Sequence, residues 1–182
     1  MNIILDMDET LLSARFAVPT SLFLEPELEE KPYLITTKQV HSRPFLDIFL
    51  DYVFKKFKRV SIWTHGTTDW YENCFDSVIK QCMPEGKKFY MVITRDNGIF
   101  PFNSDLSKPL SYIYKYNTKH TPENTFILDD LPCTYKYNIE NAIFIKPYYL
   151  ATLWGEKNHE DSELLRVMNH IEQRIFSQSS LS

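Results

Sequence analysis

The 182-residue chain is 43% hydrophobic and 15% aromatic, with 4 Gly, 10 Pro and a net charge of −4. That length suits one compact domain, and the composition excludes the collagen-like and disordered classes. The longest apolar runs, Ile3 to Leu5 and Phe126 to Leu128, fall far short of the roughly 20 residues a membrane-spanning helix requires. No signal-type stretch precedes the first strand, so an intracellular protein, nuclear or cytoplasmic and neither secreted nor membrane-bound, is expected. Cys74, Cys82 and Cys133 are an odd set without a C-x-x-C pair, which argues against disulfides and a cysteine-built zinc site and for core thiols. Residues 31–119 carry 14 Lys and Arg against 8 Asp and Glu, the remainder 6 against 16. A basic middle suits an anionic substrate, or is simply a solvated helix surface.

Residues 2–6 read as a buried strand, and Arg59 to Thr64, Phe89 to Ile93, Thr125 to Asp129 and Ala142 to Ile145 are similar short apolar or β-branched runs. Between them lie helical patterns. After Ser42 and Pro44, which suit a helix start, Phe45, Ile48, Phe49, Tyr52, Val53 and Phe57 recur at helical spacing. A second helix starts at Thr67 or Thr68 and lines up Trp70, Tyr71, Cys74, Phe75, Val78, Ile79 and Cys82 before Pro84 and Gly86 end it. A third runs from Asp161 to Phe176, with a frayed tail over residues 177–182. Strands alternating with helices predict an α/β fold, a mostly parallel central sheet flanked by helices, whose ligands bind at the carboxyl ends of the strands. Residues 13–42, with a strand-like Tyr33 to Val40, break the alternation and read as a small insertion near that edge, in a single domain spanning 1–182.

Asp6 and Asp8 stand two apart where an apolar strand breaks into a turn, an expensive place for charge unless a cation compensates. Asp129 and Asp130 repeat the arrangement at another strand end. If both pairs meet at one sheet edge, their oxygens suit one hard cation such as Mg2+, or Mn2+, with a phosphate completing its coordination.

The sequence Asp6-Met7-Asp8-Glu9-Thr10-Leu11 resembles the first motif, D-x-D-x-T/V, of the haloacid dehalogenase superfamily, a Rossmann-like core. Glu9 and Leu11 narrow the resemblance to the RNA polymerase II carboxyl-terminal-domain (CTD) phosphatases and NLI-interacting-factor-like phosphatases, whose signature is D-L-D-E-T-L, Met7 being a mild departure. Arg43-Pro44, Thr64-His65-Gly66-Thr67, Arg95-Asp96 and Asp129-Asp130 match further family motifs in order. The resemblance implies a Mg2+-dependent phosphatase in which Asp6 attacks phosphorus, forming an aspartyl-phosphate, and Asp8 is the general acid and then base. It implies metal ligation by Asp6, Asp8 (through its carbonyl), Asp129 and Asp130. Thr64 and the amides of Met7 and His65 would bind phosphate, with Lys108, or else Lys115, as the cation. Arg43 either contacts substrate or pairs with a carboxylate, and Arg95 is a second candidate for substrate contact.

The sequence leaves no room for a large cap, so an open site and a macromolecular substrate are expected, by resemblance a phosphoserine peptide such as the polymerase tail. Phe16, Val18 and Phe23 are candidate apolar contacts for it. The family's larger members append a BRCT domain, so a bare catalytic module is expected here. The alternatives are a nucleic-acid 3′-end phosphatase, whose strand the basic middle would hold, and a non-catalytic phosphopeptide-binding scaffold, against which the four aspartates speak.

Overall fold

A computed structural model of the chain describes residues 1–16, 38–97, 105–149 and 160–179. Five strands form one parallel sheet: β1 (Asn2–Leu5), β4 (Arg59–Trp63), β5 (Val92–Ile93), β6 (Thr125–Asp129) and β7 (Ala142–Phe144), in the order β5-β4-β1-β6-β7. The chain fills the sheet outward from β1 on one side, then crosses to the other, so the order reverses between β1 and β6. In sheets of this kind the crevice at that reversal is where ligands bind. β2 (Leu12–Phe16) and β3 (Lys38–Ser42) pair antiparallel as a separate ribbon at the two ends of the expected insertion. The rest of that insertion, including Val18 and Phe23, lies outside the described residues, as does the side chain of Phe16.

β1 and β6 are buried along their whole length, as continuous apolar runs require of strands covered on both faces. Ile3, Leu5, Val60, Ile62, Phe126 and Leu128 pack with Leu46, Phe49, Leu50 and Val53 of α1 (Leu46–Lys56) and Leu164, Val167 and Ile171 of α6 (Glu163–Ser179). Ile4, Trp63 and Ile127 face the other way, onto Leu110 and Ile113 of α4 (Leu110–Tyr116). Met7 is fully buried in the first cluster, where it conserves the volume of a leucine.

Several details depart from the expectation. Ser42 ends β3, and Phe45, left-handed at φ 65°, precedes a helix that starts at Leu46. The buried stripe is therefore Leu46, Phe49, Leu50 and Val53, while Phe45 and Ile48 point to solvent. The second helix is α2 (Thr68–Cys74), a π turn (Phe75–Ile79) and α3 (Lys80–Cys82) in succession, capped by Thr67. α6 continues to Ser179, past the expected start of fraying. β5 is shorter than Phe89 to Ile93, although Tyr90 N–H still bonds Val60 O. α4 and α5 (Pro132–Tyr137) were not expected. Cys74 is buried, Cys82 and Cys133 are half-buried, and none of the three is in a disulfide.

The β7 edge of the sheet is covered by arginines. Arg174 bonds the carbonyl oxygens of Ala142 (2.9 Å) and Glu140, and Arg166 bonds that of Phe144 (2.8 Å), occupying acceptors that another strand would otherwise use. Among the described residues no helix is long and apolar enough to cross a membrane.

Candidate active site

Asp6 follows β1, and its N–H bonds Leu128 O at 2.9 Å, which sets it beside Asp129 at the end of β6. One carboxylate oxygen each from Asp6, Asp129 and Asp130 lies within 4.8 Å of the other two. Lys108 is wholly buried between them, bonding Asp6 and, at 2.8 Å, Asp129. Lys115 instead sits exposed in the last turn of α4, its Nζ 5.3 Å from the Tyr116 ring centre. Asn138 fixes the approach of Lys108: its amide donates to Lys108 O at 2.9 Å, and its oxygen accepts Leu110 N–H at 2.9 Å.

The charges do not balance. Burial alone would lower the pKa of Lys108, but Asp129 and Asp6 hold its ammonium charged, well above the ordinary lysine value. Burial raises the Asp6 carboxyl well above its ordinary range, with Lys108 opposing and Asp129 and Asp8 reinforcing the rise. Burial and Asp129 also raise Asp130. One ammonium among three carboxylates leaves two negative charges uncompensated, the charge of a divalent cation. All donors here are hard oxygens, and neighbouring ligands around Mg2+ lie ~3 to 4 Å apart, so the cluster fits such an ion. Asp129 already accepts Leu131 N–H (2.8 Å) on one oxygen and Lys108 on the other.

The turn after Asp6 is tight. Leu11 N–H and Leu12 N–H both return to Met7 O, and Glu9 sits at φ 56°. Burial, then Asp8 and Asp130, pushes the Glu9 carboxyl up to about 7. Thr10 donates to Asp130 at 3.3 Å. Asp8 points away from the acidic cluster, accepting Thr64 Oγ1–H (3.0 Å) and Trp70 Nε1–H (2.7 Å). Its side chain is therefore not among the clustered carboxylates. Thr64, expected to face phosphate, has its hydroxyl committed to Asp8 and to Gly66 N–H (2.9 Å). The His65 ring donates from Nε2 to Leu106 O at 2.9 Å, tying this loop to the one that carries Lys108; burial and then Lys108 lower its pKa.

Of the two roles expected for Arg43, the structure places it in a pair with a carboxylate. Its side chain is wholly buried, paired through Nε and Nη2 with Asp161 (2.8 and 2.9 Å), and it also donates to Glu9 O, Thr10 O and Lys146 O. It clasps the turn after Asp6 to the chain before α6. Lysine cannot reproduce this planar fork, so Arg43→Lys is expected to lower the unfolding free energy by about 3 kcal/mol, measured by urea unfolding. Arg95 is exposed and lines a groove of about 400 Å³ with Asp8, Glu9, Ala14, His65 and Trp70. Asp96 anchors the Arg95 loop by accepting Thr68 N–H (2.8 Å) and the hydroxyls of Thr68 and Thr94. Trp70, Asn138 and Asp161 were not foreseen as parts of the site, and Asp96 entered the sequence reading only through the Arg95-Asp96 motif.

The parallel sheet with acidic strand ends at its reversal point is the haloacid dehalogenase-like fold. Two solved structures share it at 20% identity: Fcp1, an essential RNA polymerase II CTD phosphatase (TM-score 0.56), and a fission yeast Fcp1 variant bound to beryllium fluoride (TM-score 0.54). They cover 99% and 97% of this chain, which spans about half the length of each, 52% and 50%. The model of the NLI interacting factor-like phosphatases matches residues 1–181, and the chain belongs to that family, hydrolases of phosphoric monoesters. The CTD phosphatase-like protein 355R of Invertebrate iridescent virus 6 is 29% identical, covering 92% of this chain and 97% of its own. Its counterpart in Invertebrate iridescent virus 3 is 26% identical, covering 93% and 94%.

Proposed function

We propose that the protein is a Mg2+-dependent protein serine/threonine phosphatase that works through an aspartyl-phosphate at Asp6 and acts on phosphoserine in an extended peptide like the RNA polymerase II tail. The observation that carries this reading is the buried group of Asp6, Lys108, Asp129 and Asp130 at the strand ends, with Asp8, two residues on from Asp6, lining a groove open to solvent. Asp6, Asp130 and the carbonyl of Asp8 would hold the divalent ion, with Asp129 mainly orienting Lys108. When bound, that ion supplies positive charge to the phosphoryl oxygens and to the Asp6 carboxylate.

The chain's own residues supply the rest. The Asp6 carboxylate attacks phosphorus, splitting hydrolysis into two easier steps. Asp8 gives its proton to the departing serine oxygen, then takes one from the water that cleaves the aspartyl-phosphate. Lys108 keeps Asp6 oriented and offsets charge on the transferring group, and the amides after Asp6 and Thr64 donate to its oxygens. The open groove and the CTD phosphatase relatives favour a peptide over a small metabolite.

The test is phosphate release from phosphoserine polymerase-tail peptides, p-nitrophenyl phosphate and a 3′-phosphorylated oligonucleotide, with Mg2+ and with chelator. Mg2+-dependent turnover of the peptides supports the reading. Turnover of the oligonucleotide alone would replace the substrate, and turnover of none would make the protein a phosphopeptide-binding scaffold.

A further inference from the structure

Trp70 lies in the first turn of α2, its backbone N–H on the Thr67 cap at 3.2 Å. Helical spacing assigns it to the core, yet its indole N–H reaches Asp8 Oδ1 at 2.7 Å. The approach depends on Gly66: a Cβ there would fall 2.3 Å from Trp70 Cδ1 and 3.2 Å from Cγ. The second Asp8 oxygen takes the Thr64 hydroxyl at 3.0 Å, and Gly66 N–H in turn occupies a lone pair of Thr64 at 2.9 Å, directing its proton toward Asp8. Gly66 thus serves both donors, once by lacking a side chain and once through its amide.

We propose that Trp70 is a positioning residue for the general acid, its indole N–H and the Thr64 hydroxyl fixing the plane of the Asp8 carboxyl. This rests on the phosphatase reading above. An indole donates and never accepts, so the oxygen it touches is an acceptor in both protonation states, and the mobile proton occupies a lone pair that neither donor uses. In the first step a bond forms between an Asp6 oxygen and phosphorus. The bond from phosphorus to the serine oxygen breaks, its electron pair stays on that oxygen, and the Asp8 proton moves onto it. Asp8 is left as a carboxylate with both oxygens hydrogen-bonded. Those bonds strengthen as its charge develops, so they favour proton transfer itself and not merely folding.

A leaving group that departs readily as an anion needs no such help, which separates this role from a structural one. The experiment compares kcat/KM for wild type, Trp70→Phe and Gly66→Ala across a series from p-nitrophenyl phosphate through small aryl and alkyl monoesters of poorer leaving group to phosphoserine peptides, the small esters separating proton delivery from contacts in the groove that Trp70 lines. This quantity reports the steps through the first phosphoryl transfer, so slow hydrolysis of the aspartyl-phosphate cannot mask the effect. Trp70→Phe keeps a ring in place and removes the N–H. It is expected to lose about tenfold or more on the peptides, part of the 10²–10⁴ that a general acid supplies, and to stay within about twofold on p-nitrophenyl phosphate. Gly66→Ala, which keeps the indole but forces it off Asp8, is expected to show the same selective loss. Equal losses across the series, or none on the peptides, would overturn the assignment. A wild type inactive on every ester would instead overturn the phosphatase reading beneath it.

Discussion

Asp6→Asn is expected to abolish phosphate release from every monoester, by about 10⁴-fold or more, and yet to raise the melting temperature of the protein in chelator. An amide cannot attack phosphorus under these conditions, which accounts for the lost activity. The gain in stability follows from the charge arrangement. A buried carboxyl whose folded pKa is raised binds its proton more tightly folded than unfolded, so the ionised form destabilises the fold. That cost is absent in acid, appears as pH climbs above the ordinary aspartate value, and is complete once pH passes the folded value. Asparagine has the same shape, its oxygen still accepts from Lys108, and the repulsion with Asp129 and Asp8 is gone. The expected gain is of order 1 kcal/mol, about 2–4 °C for a chain of this size. Mg2+ should stabilise wild type by mass action and the variant less, because the variant has lost one ligand charge. A variant that melts below wild type in chelator would show that Asp6 is a net stabilising partner of Lys108 and that its ionised form does not destabilise the fold.

The sequence announces Asp6, Asp8, Asp129 and Asp130 because each interrupts or ends an apolar run that must be buried, and charge placed there demands a reason. The strand ends were legible for the same reason, and parallel alternation set their common edge. Other parts of the site are less visible because their meaning lies in a distant partner. Arg43 could contact substrate or pair with a carboxylate, and its partner Asp161 is 118 residues away. Nothing local distinguishes the two until the fold encloses the guanidinium. Trp70 was hidden by its own amphipathic nature: helical spacing describes the ring, whereas function resides in one N–H at its rim. α4 and α5, at 7 and 6 residues, are too short to display a 3.6-residue period, and Asn138, which steadies Lys108, lies just beyond α5. Phe45 and Ile48 misled because two apolar stripes compete on this segment: α1 turns Leu46 and Leu50 inward beside Phe49 and Val53, and Phe45 lies ahead of its first turn.

Lys108→Met is expected to cost both activity and stability, the opposite of Asp6→Asn on the second count. Methionine fills similar volume without charge, so packing is nearly kept and the electrostatics are isolated. Three carboxylates within 4.8 Å then face one another with no buried counter-charge. Removing one partner of a buried ion pair costs about 3–5 kcal/mol, here about 10 °C in melting temperature in chelator. Turnover should fall about 10²–10³-fold, the range seen when one preorganised donor is removed from developing charge. The pH dependence has a definite sign. Lys108 holds its proton more tightly folded than unfolded, so its stabilisation is present throughout the neutral range and is lost only above the ordinary lysine value. The deficit of the variant should therefore shrink in acid, where the carboxylates are protonated, and widen as pH rises through neutrality. Combining the two changes tests the coupling directly. Asp6→Asn with Lys108→Met should regain part of the stability lost in Lys108→Met and none of the turnover, because Asp6→Asn removes the repulsion that Lys108→Met exposes. Strict additivity of the two melting shifts would mean that Lys108 and Asp6 do not sense each other, and would overturn the charge coupling drawn from their buried contact.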